Sequence, residues 1–339
     1  MADVRQDAAP GEPGLLDPAA PLKATDAGSV GTVPTLVERP SRRSRVRSGR
    51  TGRARRVALG AAGVVLLAAI WEFYKALGPV DGVVIGGITV LPRTSDLAMP
   101  HVWTMIARLF EPVSSIAGAP PMWLAVLQAS AFSLGIAAVG WVTGVIVGSL
   151  LALLMQRFIT AESALLPWII LSQTVPLIAI APLVRRWGSQ ISIGDFEWAP
   201  WMSVALIASY LAFFPVSIGA LRGLNSPDAN HVELMRSYAV GWWRTLLTLR
   251  LPASVPYLLP ALRLAAASAV IGAIVAEVSI GLRGGIGRMV VEFAAAAGGD
   301  PAKPWAPIFG AVLVGLAAAG IVSLIGALLR RYRRGEVTA

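Results

Sequence analysis

The chain has 339 residues, of which 55% are hydrophobic and only 14% charged, whereas a soluble domain carries roughly 25% charged residues. This composition argues against a soluble protein and predicts an integral membrane protein. There is no cysteine, and the two histidines, His101 and His231, lie far apart in the sequence. Disulfides and thiolate metal sites are therefore excluded, and a histidine-based metal or catalytic site is not expected.

The net charge of +10 is concentrated near the start of the chain. Nine arginines lie between Arg39 and Arg56 with no acidic residue among them, after a segment rich in Pro, Ala, Gly and Asp. This pattern predicts a disordered basic tail over residues 1–56. We interpret the arginines as a signal that keeps this end in the cytoplasm, close to the lipid bilayer. Nucleic-acid binding is the alternative, but no aromatic residue interleaves the arginines as a stacking platform would require.

Six apolar segments are long enough to cross a bilayer, and they predict an all-α polytopic membrane fold. They lie at about 57–78, 124–154, 164–184, 199–221, 257–281 and 306–329. An even number of spans places both termini on one side, and the arginines at 330–334 repeat the positive charge of the tail. We therefore expect both termini in the cytoplasm. Residues 156–163 and 222–256 would then be cytoplasmic, and residues 79–123, 185–198 and 282–305 external.

Helix breakers and small residues occur inside several spans. Pro176 and Pro182 should interrupt the third span and Pro215 the fourth, so we expect bent helices that line a translocation path or only assist packing. The candidate path residues are Gln173, Pro176 and Glu277. Close helix contact is predicted where small residues recur every four positions, at Gly140, Gly144 and Gly148.

Two acidic residues fall inside predicted spans, where a carboxylate is a candidate for function. Glu277 lies near the end of the fifth span, so it faces the path or pairs with Arg283 or Arg288; we favour the pairing. Glu72 lies three residues before Lys75 in the first span, which predicts a local ion pair.

The segment at 225–256 is too polar to span a bilayer and too apolar for a solvated loop. Ser226 and Pro227 predict a helix start, with Val232, Met235 and Tyr238 on one face. Residues 239–241 predict a turn, followed by a second short helix from Trp242 that Pro252 ends. The second helix has an apolar side at Trp242, Leu246 and Leu249. Each apolar face needs a partner, which is either the protein's own bundle or another protein.

This segment resembles the cytoplasmic loop of binding-protein-dependent ABC importer permeases. That loop reads Glu-Ala-Ala, three residues, Gly, nine residues, then Ile-x-Leu-Pro. Glu233 takes the Glu position, and Ala239 stands where the family has glycine, with Gly241 two residues later able to relieve the turn. The remaining motif positions are Leu234 and Met235 for the two alanines, and Leu249, Leu251 and Pro252 for Ile-x-Leu-Pro. Together with "SQTVPLIAIAPLV" from Ser172, the pattern is similar to the nitrate/sulfonate/taurine branch, over about 124–335.

The resemblance implies a type I, MetI-like permease with residues 57–122 as a first helix and external loop, and residues 123–335 as the permease domain with coupling loop 225–256. Its implied partners are a cytoplasmic ATPase that holds the ATP, an external solute-binding protein and a second permease copy. The chain itself would bind no cofactor or metal and would not be an enzyme, because it lacks a phosphate-binding Gly-x4-Gly-Lys-Ser/Thr loop. The glycine-rich "GLRGGIG" at 281–287 is interpreted as a turn.

The implied function is uptake of a small solute, such as an organic sulfonate, a nitrate-like anion or a pyrimidine or vitamin precursor. The alternative is an ion-coupled secondary transporter. Six spans, acidic residues inside spans and kinked helices are compatible with such a transporter. This alternative does not explain a cytoplasmic loop of two helices.

Overall fold

The computed structural model describes residues 50–328. The predicted tail up to residue 49 and the terminal arginines at 330–334 lie outside the described residues. Within the described residues, those up to Ala58 and those from Leu59 onward fall into two separate units, and the bundle described below belongs to the second. The helices and short strands, in chain order, are α1 Arg50–Leu77, β1 Val83–Ile85, β2 Ile88–Leu91, α2 Val102–Arg108, α3 Met122–Arg157, α4 Ile159–Ser172, α5 Leu177–Gly188, β3 Ser192–Ile193, β4 Phe196–Glu197, α6 Pro200–Leu224, α7 Ala229–Ser237, α8 Trp242–Thr245, α9 Leu251–Ile280, α10 Ile286–Ala295 and α11 Trp305–Leu328.

The fold is all-α apart from two antiparallel hairpins, β1–β2 and β3–β4. By length and composition, five helices could cross a membrane: Ala58–Leu77, Met122–Arg157, Pro200–Leu224, Trp242–Ile280 and Trp305–Ala327. Four of them match predicted spans closely, whereas the helix of the fifth predicted span begins at Trp242, 15 residues before the predicted start at 257. Helix α1 begins at Arg50, seven residues before the predicted start of the first span.

The third predicted span is not a single helix. It is the pair α4 and α5, bent by 103° at the break between Ser172 and Leu177, so the chain has six spans only if this pair counts as one. The break lies at Pro176, which precedes α5 with extended backbone angles, because proline lacks an N–H and pushes the residue before it out of the helical region. Pro182 was wrongly expected to interrupt the third span, since it lies inside α5. Pro215 was wrongly expected to interrupt the fourth, since it lies inside α6.

Helices α3, α6 and α9 form the centre of the bundle, with α11 packed beside them. Their meeting faces are built from small residues, and the glycines of α3 approach α6 at backbone distance. A methyl group on Gly144 would lie 2.7 Å from the Ala212 Cβ atom and 2.9 Å from the Ser209 carbonyl oxygen. Gly140 and Gly148 are buried against α6 in the same way. The predicted close contact at these glycines is confirmed, and it holds two apolar helices together by packing alone.

The segment between α1 and α3 is held to α1 by two acid–base contacts, neither of them the predicted one. The Glu72 carboxylate lies 2.8 Å from the His101 Nδ1 atom and accepts a hydrogen bond from the Val102 N–H at 2.7 Å, at the start of α2. Lys75 instead donates to Asp96 at 2.6 Å, and this ammonium group holds the pKa of the Asp96 carboxyl below its usual value. The predicted Glu72–Lys75 ion pair was wrong because folding brings more distant partners to both groups.

Candidate functional site

Helix α7 opens the segment between α6 and α9, and its N-terminal cap is Asp228. The Asp228 carboxylate accepts a hydrogen bond from the Asn230 N–H at 2.8 Å, which satisfies one of the unpaired donors of the first turn. The prediction that Ser226 caps this helix was wrong, because its hydroxyl donates to the Gly223 carbonyl at 2.7 Å and so extends the end of α6.

No residue of α7 is buried. Glu233 and Leu234 are exposed, and Met235 and Val232 are half-buried. Tyr238, expected on the same face as Val232 and Met235, is 76% exposed. Helix α7 therefore leaves most of its surface open, including the apolar side chain of Leu234.

The turn after α7 depends on Ala239. Its φ angle of 53° makes it the one residue other than glycine with a positive φ among residues 50–328. This left-handed conformation strains any residue with a Cβ atom, which gives a physical reason for glycine at this position of the motif. Gly241 has φ −64° and ψ 157°, an ordinary extended conformation. The expectation that Gly241 relieves the turn was therefore wrong.

The second half of the segment is anchored to the bundle. The Leu246 side chain is buried in a cluster with Ala152, Met155 and Leu224, and Trp242 packs on the same cluster. The Trp242 indole donates to the Gln156 side-chain oxygen at 3.2 Å. Of the two partners left open for the apolar face of this second helix, the structure shows the protein's own bundle.

Pro252 does not end that helix. Trp242–Ile280 is one continuous helix of 39 residues, with a single π-helical turn at Leu246–Arg250. There the Leu251 N–H donates to the Leu246 carbonyl, five residues earlier. The wider turn changes the hydrogen-bond register directly before Pro252, so that the helix continues past a residue that has no N–H to donate. Leu249 is half-buried in this turn, and Leu251 and Pro252 are exposed.

Large apolar side chains remain exposed on both halves of the segment. We call them the loop face; they are Leu234 (53% exposed), Tyr238 (76%), Trp243 (69%) and Leu247 (60%). Trp243 and Leu247 are exposed although Leu246, in the same stretch of helix, is buried. The loop face thus includes residues of the anchored helix, Trp243 and Leu247, together with Leu234 and Tyr238, which belong to α7 and its C-terminal cap.

The candidate path residues lie in two different places. Gln173 and Pro176 border the break between α4 and α5. Glu277 lies in α9 and is fully buried. Its carboxylate accepts hydrogen bonds from the Ser133 hydroxyl at 2.7 and 2.8 Å and from the Gly287 N–H at 2.8 Å.

The predicted pairing of Glu277 with Arg283 or Arg288 was wrong. Arg288 pairs with Glu292 at 2.7 Å, and within the described part of the chain Arg283 forms no ion pair. The Ser133 hydroxyl also accepts from the Ile286 N–H at 2.8 Å, so the carboxylate and the hydroxyl together bind the first turn of α10. Sequence reasoning missed Ser133; its only signal is a hydroxyl in a mostly apolar helix.

Two further contacts link the two ends of the helix from Trp242 to Ile280 with α6 and with α5, and neither was predicted. Arg250 donates to the Leu224 carbonyl at 2.8 Å, at the end of α6. At the opposite end of α9, Arg185 of α5 donates to the Ile280 carbonyl at 2.9 Å. Both arginines satisfy carbonyls at a helix C-terminus, where the backbone lacks donors and the helix dipole favours a cation.

A bundle of membrane-length helices, with a structured connection between two of its central helices, defines a multi-pass membrane protein. Residues 144–334 match the family model of the binding-protein-dependent transport system inner membrane component, and the chain belongs to this family. It is thus an ABC importer permease, the transport-channel component and not itself a catalytic subunit.

Named relatives support the assignment. The formylaminopyrimidine transport permease protein ThiX of Halalkalibacterium halodurans is 32% identical over 210 residues, which cover 60% of this chain and 77% of the relative. The putative aliphatic sulfonates transport permease protein SsuC of Bacillus subtilis is 31% identical, over 46% of this chain and 53% of the relative. The riboflavin transport system permease protein RibX of Chloroflexus aurantiacus is 28% identical, over 38% and 44%.

Proposed function

We propose that this chain forms the translocation path of an ATP-driven importer and that the segment from Glu233 to Pro252 couples it to a cytoplasmic ATPase. An external solute-binding protein delivers the solute, and a second permease copy, most simply an identical one, completes the pore. In this proposal both termini and the segment 225–256 are cytoplasmic, residues 1–56 are a basic tail, and ATP binds only to the partner subunit.

The observation that carries the proposal is the contrast between the two halves of the segment. Helix α7 has no buried residue, whereas the adjoining helix is fixed by the buried Leu246 and the Trp242–Gln156 hydrogen bond. An amphipathic helix that is exposed yet held at both ends suits insertion into a groove of another protein. The exposed Leu234 and Tyr238 supply apolar contacts, and Glu233 supplies a charge.

The connections of the segment explain how a movement of α7 would reach the path. α7 follows α6, and the helix from Trp242 continues into α9 without a break. Arg250 also links the start of α9 to the end of α6 through the Leu224 carbonyl. A partner that displaces α7 would therefore act on α6 and α9 together. These two helices are central in the bundle, so the displacement favours one of two arrangements of the path.

In this proposal the solute is a small molecule: a pyrimidine or vitamin precursor, an organic sulfonate, or a nitrate-like anion. The printed names of the relatives include formylaminopyrimidine, aliphatic sulfonates and riboflavin. This range of solutes within one group of related permeases supports selection by the external binding protein more than by the permease.

The test uses the full chain reconstituted with its ATPase and solute-binding protein, comparing Glu233→Ala with Glu197→Ala. Glu197 is an exposed acid of the β3–β4 hairpin, so its replacement controls for loss of one negative charge. We expect Glu233→Ala to weaken ATPase binding and to reduce uptake per ATP hydrolysed, while Glu197→Ala behaves like the wild type.

Normal ATPase binding and coupled uptake in Glu233→Ala would refute the role of the segment. The alternative, an ion-coupled transporter, makes a different prediction in the same vesicles. Uptake that continues without ATP and stops when the ion gradient is dissipated would support that alternative and overturn the proposal.

A further inference from the structure

A cleft of about 540 Å³ lies between α3 and the glycine-rich connection from α9 to α10. One wall is the α3 face with Ala125, Ala129 and Phe132. The opposite wall starts with Arg283 and Gly284 and continues into α10. Neither the coupling segment nor the candidate path residues Gln173 and Pro176 belong to it.

The lining combines positive charge with apolar surface. Its side chains are Ala125, Gln128, Ala129, Phe132, Arg283, Arg288, Met289 and Glu292. Arg288 is paired with Glu292 at 2.7 Å, so this pair is close to neutral. Within residues 50–328, Arg283 has no acidic partner and is exposed. The cleft therefore offers one uncompensated guanidinium beside an aromatic ring, two alanines and a side-chain amide.

A buried hydrogen-bond network lies behind the wall that starts with Arg283 and Gly284, and it holds this wall in place. The Ile286 N–H binds the Ser133 hydroxyl and the Gly287 N–H binds Glu277, each at 2.8 Å. A side chain at Gly285 would collide with the Glu277 carboxylate, whose oxygens would lie 2.5 Å from the added Cβ atom. Glu277 thus lies behind the wall of the cleft rather than in it. The geometry of the arginine-bearing loop is set before any ligand arrives.

We propose that this cleft binds the anionic head group of a small solute, with Arg283 contacting a sulfonate or carboxylate and Phe132 contacting the adjoining apolar part. A guanidinium presents several N–H donors in one plane and suits an oxyanion. The ring face and the alanines suit a short carbon chain. This assignment rests on the proposed import function and narrows the solutes considered there to those with a single negative charge.

The test measures binding to the full chain alone, in phosphatidylcholine nanodiscs, so that no ATPase or binding protein is needed. The probe is ethanesulfonate, and ethyl methyl sulfone is its neutral match in size. We expect saturable binding of ethanesulfonate that Arg283→Gln weakens about tenfold or more. The control Arg186→Gln removes another exposed arginine, in α5, and should leave the affinity unchanged. The sulfone should bind weakly to all three proteins.

Equal binding of ethanesulfonate to the wild type and to Arg283→Gln, or no binding to either, overturns the inference. A phosphate head group has the same chemistry, so nanodiscs containing phosphatidylglycerol form the second arm. If this lipid displaces ethanesulfonate, the cleft is a lipid site and the solute assignment is wrong. These outcomes are separate from the Glu233→Ala result, which tests the importer proposal and does not involve the cleft.

Discussion

The left-handed backbone at Ala239 predicts that exchanging alanine and glycine at positions 239 and 241 stabilises the turn. Ala239 has φ 53°, a conformation that costs a residue with a Cβ atom roughly 1–2 kcal/mol. Glycine removes that strain but loses about 0.5–1 kcal/mol of backbone entropy on folding. Ala239→Gly should therefore stabilise the turn by about 0.5–1 kcal/mol. Gly241 has ordinary angles and no atom within 4 Å of an added Cβ, so Gly241→Ala should also stabilise, by about 0.4–1 kcal/mol.

Hydrogen exchange at the Val240 amide measures the effect locally, because this N–H donates to the Met235 carbonyl at 3.0 Å across the turn. A gain of 0.5–1 kcal/mol corresponds to roughly two- to fivefold slower exchange when the turn opens by itself. Ala239→Val should act in the opposite direction, since a β-branched residue tolerates positive φ poorly, and it should uncouple ATP hydrolysis from uptake without unfolding the bundle. Faster exchange in both Ala239→Gly and Gly241→Ala would show that Gly241, not Ala239, carries the left-handed conformation.

Two further substitutions test the packing of the bundle. Gly144→Ala places a methyl group 2.7 Å from the Ala212 Cβ atom and should lower the free energy of unfolding by about 1–3 kcal/mol. The control Gly135→Ala, on the same helix, meets no atom within 4 Å and should not destabilise the protein. Equal effects of the two substitutions would contradict the α3–α6 contact. Ser133→Ala leaves the buried Ile286 N–H without an acceptor and removes a donor from Glu277, which should cost about 2–4 kcal/mol of folding stability. Hydrogen exchange of the Ile286 amide should become faster. The control is Ser279→Ala, whose hydroxyl donates only within its own helix.

The sequence predicted what depends on local pattern. Four of the six spans were located within a few residues at both ends and the fifth at its end only, because a membrane helix must satisfy its own backbone and so requires a long apolar run. The close contact at Gly144 was also predicted correctly, because the spacing of side chains around a helix is fixed and residues four apart share a face. The segment between α6 and α9 stood out because its charges and prolines interrupt an otherwise apolar chain.

Contacts between distant residues could not be predicted in this way. Ser133 and Glu277 are 144 residues apart, and nothing in either neighbourhood identifies the other. For Glu277, the sequence offered Arg283 and Arg288 as charged partners within reach, and the fold used a hydroxyl and a backbone N–H instead. Glu72 shows the same error, because its nearest base in the sequence, Lys75, binds Asp96.

Pro252 shows why a strong local signal can still mislead. A proline after a short amphipathic helix normally indicates an end, and the motif places this one at a fixed distance from Glu233. The π-helical turn at Leu246–Arg250 lets the helix continue through that point, so the anchored half of the segment and α9 form one rod of 39 residues. A hinge at Pro252 would allow α7 to move without disturbing α9. A continuous rod instead transmits a displacement of the exposed Trp243 and Leu247 to the central helix of the bundle, as the proposed coupling to an ATPase requires.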